Sequence, residues 1–235
     1  MTALAACVTV LADWSAVDPD PAAAGYRERQ IAQTFPPWRR REWLTGRLTA
    51  RAALRMARGG LGEQVEILRD SRSGAPVVRG LPPRSPATIS LSHTGDRVVC
   101  VAVTGEAQVG VDIERQDRRN GELMRRIAGP DERTPPDVDP TLLWSVKEAA
   151  FKAQVSGPAS LKHYRVDWTG AQPTVVLKLN GRAVRSSVWT FQWDDTVVAV
   201  VGRGITAPAV AVLTAQADGP SISRTDSILS SGELA

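Results

Sequence analysis

Two acidic residues spaced two apart, Asp112 and Glu114 in Val109-Gly110-Val111-Asp112-Ile113-Glu114, are the first groups in this sequence that could do chemistry together. On an extended strand, residues two apart point to one face. Both carboxylates then stand side by side while Val111 and Ile113 turn into the core. Close carboxylates repel unless a cation neutralises them, and hard oxygen ligands suit Mg²⁺. Alone, the pattern is equally that of a strand with one polar edge. A third carboxylate lies in Trp144-Ser145-Val146-Lys147-Glu148-Ala149-Ala150-Phe151-Lys152, where Glu148 and Lys152, four apart, share a helix face. Such a pair by itself is ordinary solvated surface, worth about 0.3–0.5 kcal/mol. Combined with Asp112 and Glu114, it completes a metal-binding set and adds an ammonium that neutralises phosphate charge. Ser90-Leu91-Ser92-His93 offers hydroxyl and imidazole groups to a phosphate, or else stabilises the turn that follows. Arg39-Arg40-Arg41, then Arg47 and Arg51 on one helical stripe, present guanidinium groups that fork onto phosphates, or form a solvated basic face.

The elements that must position these groups follow from periodicity. Apolar residues at Trp43, Leu44, Leu48, Ala52 and Leu54 recur at helical spacing through 38–58, and Gly59-Gly60 stops the helix. Strand-like pieces cover 6–11, 65–68, 76–78, 88–92 and 98–103, the last two joined through Thr94-Gly95-Asp96. The second half repeats the order. A helix over 142–154 ends at Ser156-Gly157-Pro158, and strands over 164–168, 174–179, 188–193 and 197–201 come after it, the last pair turning at Asp194-Asp195. The expected fold is α+β, a pseudo-twofold pair of similar subdomains, 1–105 and 106–205, each a helix packed on a small antiparallel sheet. Two segments fall outside this pattern. Residues 116–140 are charged and Pro-rich and read as a mobile loop with one short helical piece before Pro130. Residues 206–235, rich in small and polar types, read as a disordered tail.

Composition narrows the classes. Apolar content of 43% supports a sizeable core. No apolar run reaches the length of a membrane span, and no Lys or Arg precedes the apolar start, so a cytoplasmic location and no membrane partner are expected. Cys7 and Cys100 each sit in an apolar run, which reads as two reduced, buried thiols; neither has histidine at zinc spacing. A net charge of +4 favours anionic partners. Nucleic acid is disfavoured, because no interleaved aromatic surface or zinc module accompanies the arginines. Only four of the 29 basic residues are lysines, at 147, 152, 162 and 178, and two of those fall within one helix. An ammonium is required there, or the clustering is chance.

Taken together, GVDIE (110–114), WSVKEAAFK (144–152), SLSH (90–93) and RREWLTGRLTAR (40–51) resemble the Sfp-type 4'-phosphopantetheinyl transferases, over about 4–204. The resemblance implies an active site in the cleft between two α+β subdomains, the first giving cofactor phosphate and adenine contacts, the second the metal and catalytic motifs. It implies transfer of the phosphopantetheine arm of coenzyme A to a serine of an acyl or peptidyl carrier protein, with release of 3',5'-ADP, as in holo-[acyl-carrier-protein] synthases. Asp112, Glu114 and Glu148 would hold Mg²⁺, with Mn²⁺ as an alternative. Glu148 would accept the serine proton, and Lys152 would stabilise the leaving group. Coenzyme A contacts would fall to Arg40, Arg47, Arg51, Gly74, Pro76, Ser92, His93, Lys147 and Lys152. The chain would act as a monomer.

Two departures from the family pattern stand out. Gly74-Ala75-Pro76 replaces a Gly-Lys-Pro, so a side-chain contact from position 75 is lost, and arginines at 39–41 stand in for phosphate-binding lysines. The segment RRIAGPDER (125–133) lies where relatives dock the acidic carrier protein. The rival reading is a protein of the same fold that binds coenzyme A or a carrier without catalysis.

Overall fold

The computed structural model describes residues 5–15, 19–62, 64–105, 107–116, 126–154, 157–214 and 221–224. Helix α1 spans Tyr26–Gln33 and α2 spans Pro37–Arg58. Pro37 opens α2 in the first turn, where its missing N–H leaves no partner wanting. The helix ends at Gly59, whose φ of 71° is the left-handed cap that glycine adopts without a Cβ clash. Leu48, Ala52, Ala53 and Leu54 carry its apolar stripe, and α2 lays it on β1 (Cys7–Asp13) and β5 (Arg97–Thr104).

Chain contacts divide the protein into two units. The first takes the described residues of Met1–Ala107 and Gly204–Asp226, and the second those of Gln108–Arg203. In the first unit, β2 (Glu66–Arg69) and β3 (Pro76–Arg79) form a separate hairpin. The main sheet has the order β12-β11-β1-β5-β4, with β4 at Ala87–Thr94, β11 at Ala209–Thr214 and β12 at Ser221–Arg224. All of its pairings are antiparallel except β1 with β11, which is parallel. Val10 pairs with Cys100, and Cys7 lies three residues further along, on the opposite face of the sheet. Both thiols are buried and free, as expected, and burial pushes the Cys7 thiol up to about 12.

The segment expected to be a disordered tail therefore contributes a strand. The alternating run Ala209-Val-Ala-Val-Leu-Thr214 buries Ala211 and Leu213 against β1 and α2's core. A composition averaged over thirty polar and small residues hid a period-two pattern only six residues long. The boundary near 205 is accordingly a crossing point, after which the chain rejoins the first unit.

The second unit is an antiparallel sheet of order β6-β10-β9-β8-β7, covered by α3 (Pro140–Ala153). Its strands are β6 (Gln108–Arg115), β7 (Arg165–Asp167), β8 (Thr174–Leu179), β9 (Arg182–Trp193) and β10 (Thr196–Arg203). Asp139 caps α3, its Oδ1 accepting from the Thr141 amide at 2.6 Å, so the helix begins two residues before the apolar pattern does. β9 starts six residues earlier than expected. Asn180 and Gly181, at φ 50° and 77°, make the two-residue turn that joins it to β8, and Asn-Gly is the sequence signal for such a turn. Of the 116–140 stretch, residues 117–125 lie outside the described residues, as do 155–156 and most of the segment after 214. The described part, 126–139, is tied down rather than loose: Ile127 is buried in the α3 core.

Gly110 sets how closely α3 can lie on the sheet. A Cβ there would collide with the Ala149 carbonyl oxygen and come within 2.6 Å of the Ala153 amide nitrogen. Both are backbone atoms that cannot rotate away. Gly110→Ala is therefore expected to cost roughly 3 kcal/mol, the upper end for overpacking, read as a lower denaturant midpoint for the second unit. An unchanged midpoint would show that the helix has slack at this contact.

Candidate active site

Packing against Gly110 aligns α3 antiparallel to β6. Ala149 and Ala153 sit over residue 110, Lys152 reaches Asp112, and Trp144 reaches Glu114. One helical turn rises about 5.4 Å and two strand residues advance about 6.6 Å, so helix positions a turn apart meet successive same-face strand positions. Residues 110, 112 and 114 share the α3 face. Val111 and Ile113 are fully buried on the other, as the alternation requires.

Asp112, Glu114 and Glu148 lie near enough for their charges to act on one another. Lys152 Nζ lies 2.6 Å from Asp112 Oδ1, with Asp112 buried and the lysine side chain 28% exposed. Trp144 Nε1 donates to Glu114 Oε1 at 3.1 Å. Burial first, then the Asp112 charge, pushes the Glu114 carboxyl up to about 6, against the opposing pull of Trp144 and Lys152. Glu148 is raised by the same two causes and lowered by Lys152. Three carboxylates face one ammonium, and the Asp112 charge adds to burial in raising the other two. Among the described residues, however, no three His, Cys, Asp or Glu side chains converge as a ligand set. Lys152 engages one of the two Asp112 carboxylate oxygens, Oδ1. The donors are all hard oxygens in a negative field, which fits Mg²⁺ in chemistry.

Lys147, expected on the cofactor, is placed elsewhere. Five residues before Lys152, it points into the second unit's interior and is fully buried. Its ammonium bonds Glu132 Oε2 at 2.5 Å, the Ile127 carbonyl at 3.0 Å and the Leu161 carbonyl at 3.4 Å. Desolvation lowers its proton affinity, and Glu132 opposes that. Glu132, which the sequence reading passed over, also accepts from the Gly129 amide at 2.9 Å and the Val166 amide at 2.8 Å. It thus pins 126–133 to α3 and β7. No local signal marked it; its role exists only through partners 15 and 34 residues away.

In the first unit the arginine stripe divides. Arg51 is buried, and its Nη2 lies 2.7 Å from both Glu28 Oε2 and the Val65 carbonyl, so it joins α1, α2 and β2 and is closed to a ligand. Arg40 bonds the carbonyls of Ala32, Gln33 and Phe35 at 3.1–3.4 Å, closing the end of α1. Arg47 lies over the Trp43 ring at 3.6 Å and makes no hydrogen bond among the described residues; desolvation brings its guanidinium down to about 10. His93, half exposed at the end of β4, has Nε2 3.0 Å from Glu42 Oε1, the same oxygen that Arg39 contacts. Ser92 is buried beside it. Gly74, at φ 74°, and Pro76 shape the β2–β3 turn, where Asp70 Oδ1 accepts from the Arg72 and Ser73 amides.

Residues 108–201 match the family model described as ACPS, the 4'-phosphopantetheinyl transferase superfamily. The match takes in β6, α3 and the whole second sheet as far as β10. No curated protein matches the chain. Among solved structures, holo-[acyl-carrier-protein] synthase from Thermotoga maritima is similar at 22% identity, covering 56% of this chain and 79% of that one, with a TM-score of 0.36.

The interior position of Lys147 makes a stability prediction that a cofactor role would not. Lys147→Met should destabilise the protein by about 3–5 kcal/mol, because it strands the Glu132 charge. Adding Glu132→Gln should recover part of that loss. Full stability in the single variant, with weakened coenzyme A binding, would return Lys147 to the cofactor.

Proposed function

With residues 108–201 in the 4'-phosphopantetheinyl transferase superfamily, we propose that this protein moves the phosphopantetheine arm of coenzyme A to a serine hydroxyl of an acyl or peptidyl carrier protein. The observation that carries this reading is the grouping of Asp112, Glu114 and Glu148 around the Lys152 ammonium, on one helix–strand contact.

Asp112, Glu114 and Glu148 would hold a divalent cation, Mg²⁺ or Mn²⁺, which when bound supplies neutralisation for the pyrophosphate of coenzyme A. The protein's own groups do the rest. The serine oxygen bonds to the phosphorus that carries the pantetheine arm, and the bond from that phosphorus to the bridging oxygen breaks, releasing 3',5'-ADP. Lys152, held at the site by Asp112, neutralises charge growing on the departing phosphate. Glu148 has no hydrogen-bond partner among the described residues and a raised proton affinity, which suits it to take the serine proton. Trp144 fixes the Glu114 carboxylate through its indole N–H. In the first unit, His93 and Arg47 are the groups assigned to a coenzyme A phosphate. Glu42 orients His93, Ser92 adds a hydroxyl, and the Gly74–Pro76 turn is assigned to the adenine end.

The direct test incubates the protein with an apo carrier protein, coenzyme A and Mg²⁺ and weighs the carrier. Transfer adds about 340 Da, the mass of the phosphopantetheine arm that this phosphoryl chemistry delivers. No gain on fatty-acid, polyketide or peptide-type carriers would favour a non-catalytic binder, a reading that the Lys152–Asp112 ion pair accommodates. Asp112→Ala and Glu148→Ala should each reduce transfer to background with the melting temperature preserved. Lys152→Ala should lower kcat by roughly 10²–10³, as for loss of one preorganised charge stabiliser, and change KM less. A loss confined to KM would remove the leaving-group role.

A further inference from the structure

A cavity of about 840 Å³ lies in the second unit and shares no residue with the carboxylate site. Part of its wall is the face of the sheet turned away from α3. Val166, Val175 and Leu177 pack into the α3 core, so the residues between them point the other way. Arg165, Val176 and Arg185 pair in one row across β7, β8 and β9, and Lys178 stands two residues beyond Val176 on the same face. Arg133 and Lys162 close the cavity from the segments 131–135 and 161–163.

Five cations thus surround one concavity, against Asp131 and Asp167. Two of them are held by the protein: Arg165 Nη2 donates to the Asp131 carbonyl at 2.9 Å, and Arg185 Nη1 lies 3.2 Å from Asp167 Oδ2. Arg133, Lys162 and Lys178 have no ion pair or hydrogen bond among the described residues. The distribution of lysines is pointed. Of the four in the chain, Lys147 is locked to Glu132 and Lys152 to Asp112, and the other two both line this cavity.

We propose that this cavity is a second ligand site, which binds a small phosphorylated molecule. Phosphate oxygens would meet the Lys162, Lys178 and Arg133 cations. Size and shape favour a small molecule over a protein surface. The volume falls in the range of roughly 300–1,000 Å³ typical of small-ligand sites, and a macromolecular interface would be broader and flatter. Val176 and the Trp168 ring supply the apolar part of the wall.

Sodium tripolyphosphate is the probe, titrated calorimetrically in EDTA so that the carboxylate site holds no divalent cation. The wild-type chain should bind it and Lys152→Ala should bind it equally well. The Lys162→Ala/Lys178→Ala double variant and, separately, Arg133→Ala should each weaken binding, the double by roughly tenfold or more, as expected when charge-assisted bonds are lost. The accompanying change in tryptophan fluorescence should disappear in Trp168→Phe. The proposal is overturned by any of three results: no binding to the wild-type chain, loss of binding in Lys152→Ala with retention in the double variant, or a double variant that binds tripolyphosphate normally but has lost affinity for an apo carrier protein. The last would make the face a protein-docking surface.

Discussion

The contact between α3 and β6 at Gly110 governs the electrostatics of the second unit's carboxylate cluster. Because the glycine has no side chain, the helix backbone rests on the strand, and side chains flanking the contact are forced into register with the strand's polar face. Asp112 and Glu114 would otherwise be a polar stripe on an edge strand. Under the helix, they become partly desolvated groups facing Lys152, Glu148 and Trp144. Burial makes the carboxylates interact strongly, because charges at a low-dielectric contact are poorly screened. The glycine of the Gly-Val-Asp run is thus a packing residue whose effect is electrostatic.

Two buried ion pairs play the supporting role, one in each unit. Lys147–Glu132 ties the 126–133 segment to α3 and β7; Arg51–Glu28 ties α1 and β2 to α2. In both, the carboxylate also accepts backbone amides: Glu132 from Gly129 and Val166, Glu28 from Gly25 and Ile67. Such carboxylates organise the segments they join, since each accepts amides from a strand and from a neighbouring turn or helix start at once. Desolvating these charges is costly, so the pairs specify one arrangement more than they add stability.

The arrangement of cations follows a common logic. Arginine provides general charge through most of the chain and also closes helix ends, as Arg40 does for α1. Lysine is reserved for four positions, two of which are already engaged by a carboxylate. A compact ammonium suits a site where a point charge must meet an oxygen, whereas the guanidinium fork suits planar partners such as the Trp43 ring under Arg47.

Local pattern was enough to place α2, α3 and most strands, because periods of 3.6 and 2 report directly which face is buried. It was also enough to put Asp112 with Glu114, and Glu148 with Lys152, on shared faces. It failed where the signal was short or distributed: β11 is six residues inside a polar segment, and Glu28 and Glu132 look like any surface glutamate. It also could not separate Lys147 from Lys152, or Arg47 from Arg51. Each pair shares a helix, and spacing fixes only relative direction around that helix. Which direction meets a carboxylate site, and which meets the interior, is decided by distant strands and loops packed on it. The sequence by itself therefore determined the elements and the carboxylate-bearing faces. Only the tertiary structure decided which lysine meets the carboxylates of β6 and which is buried with Glu132, since each charge is set by whatever long-range packing surrounds it.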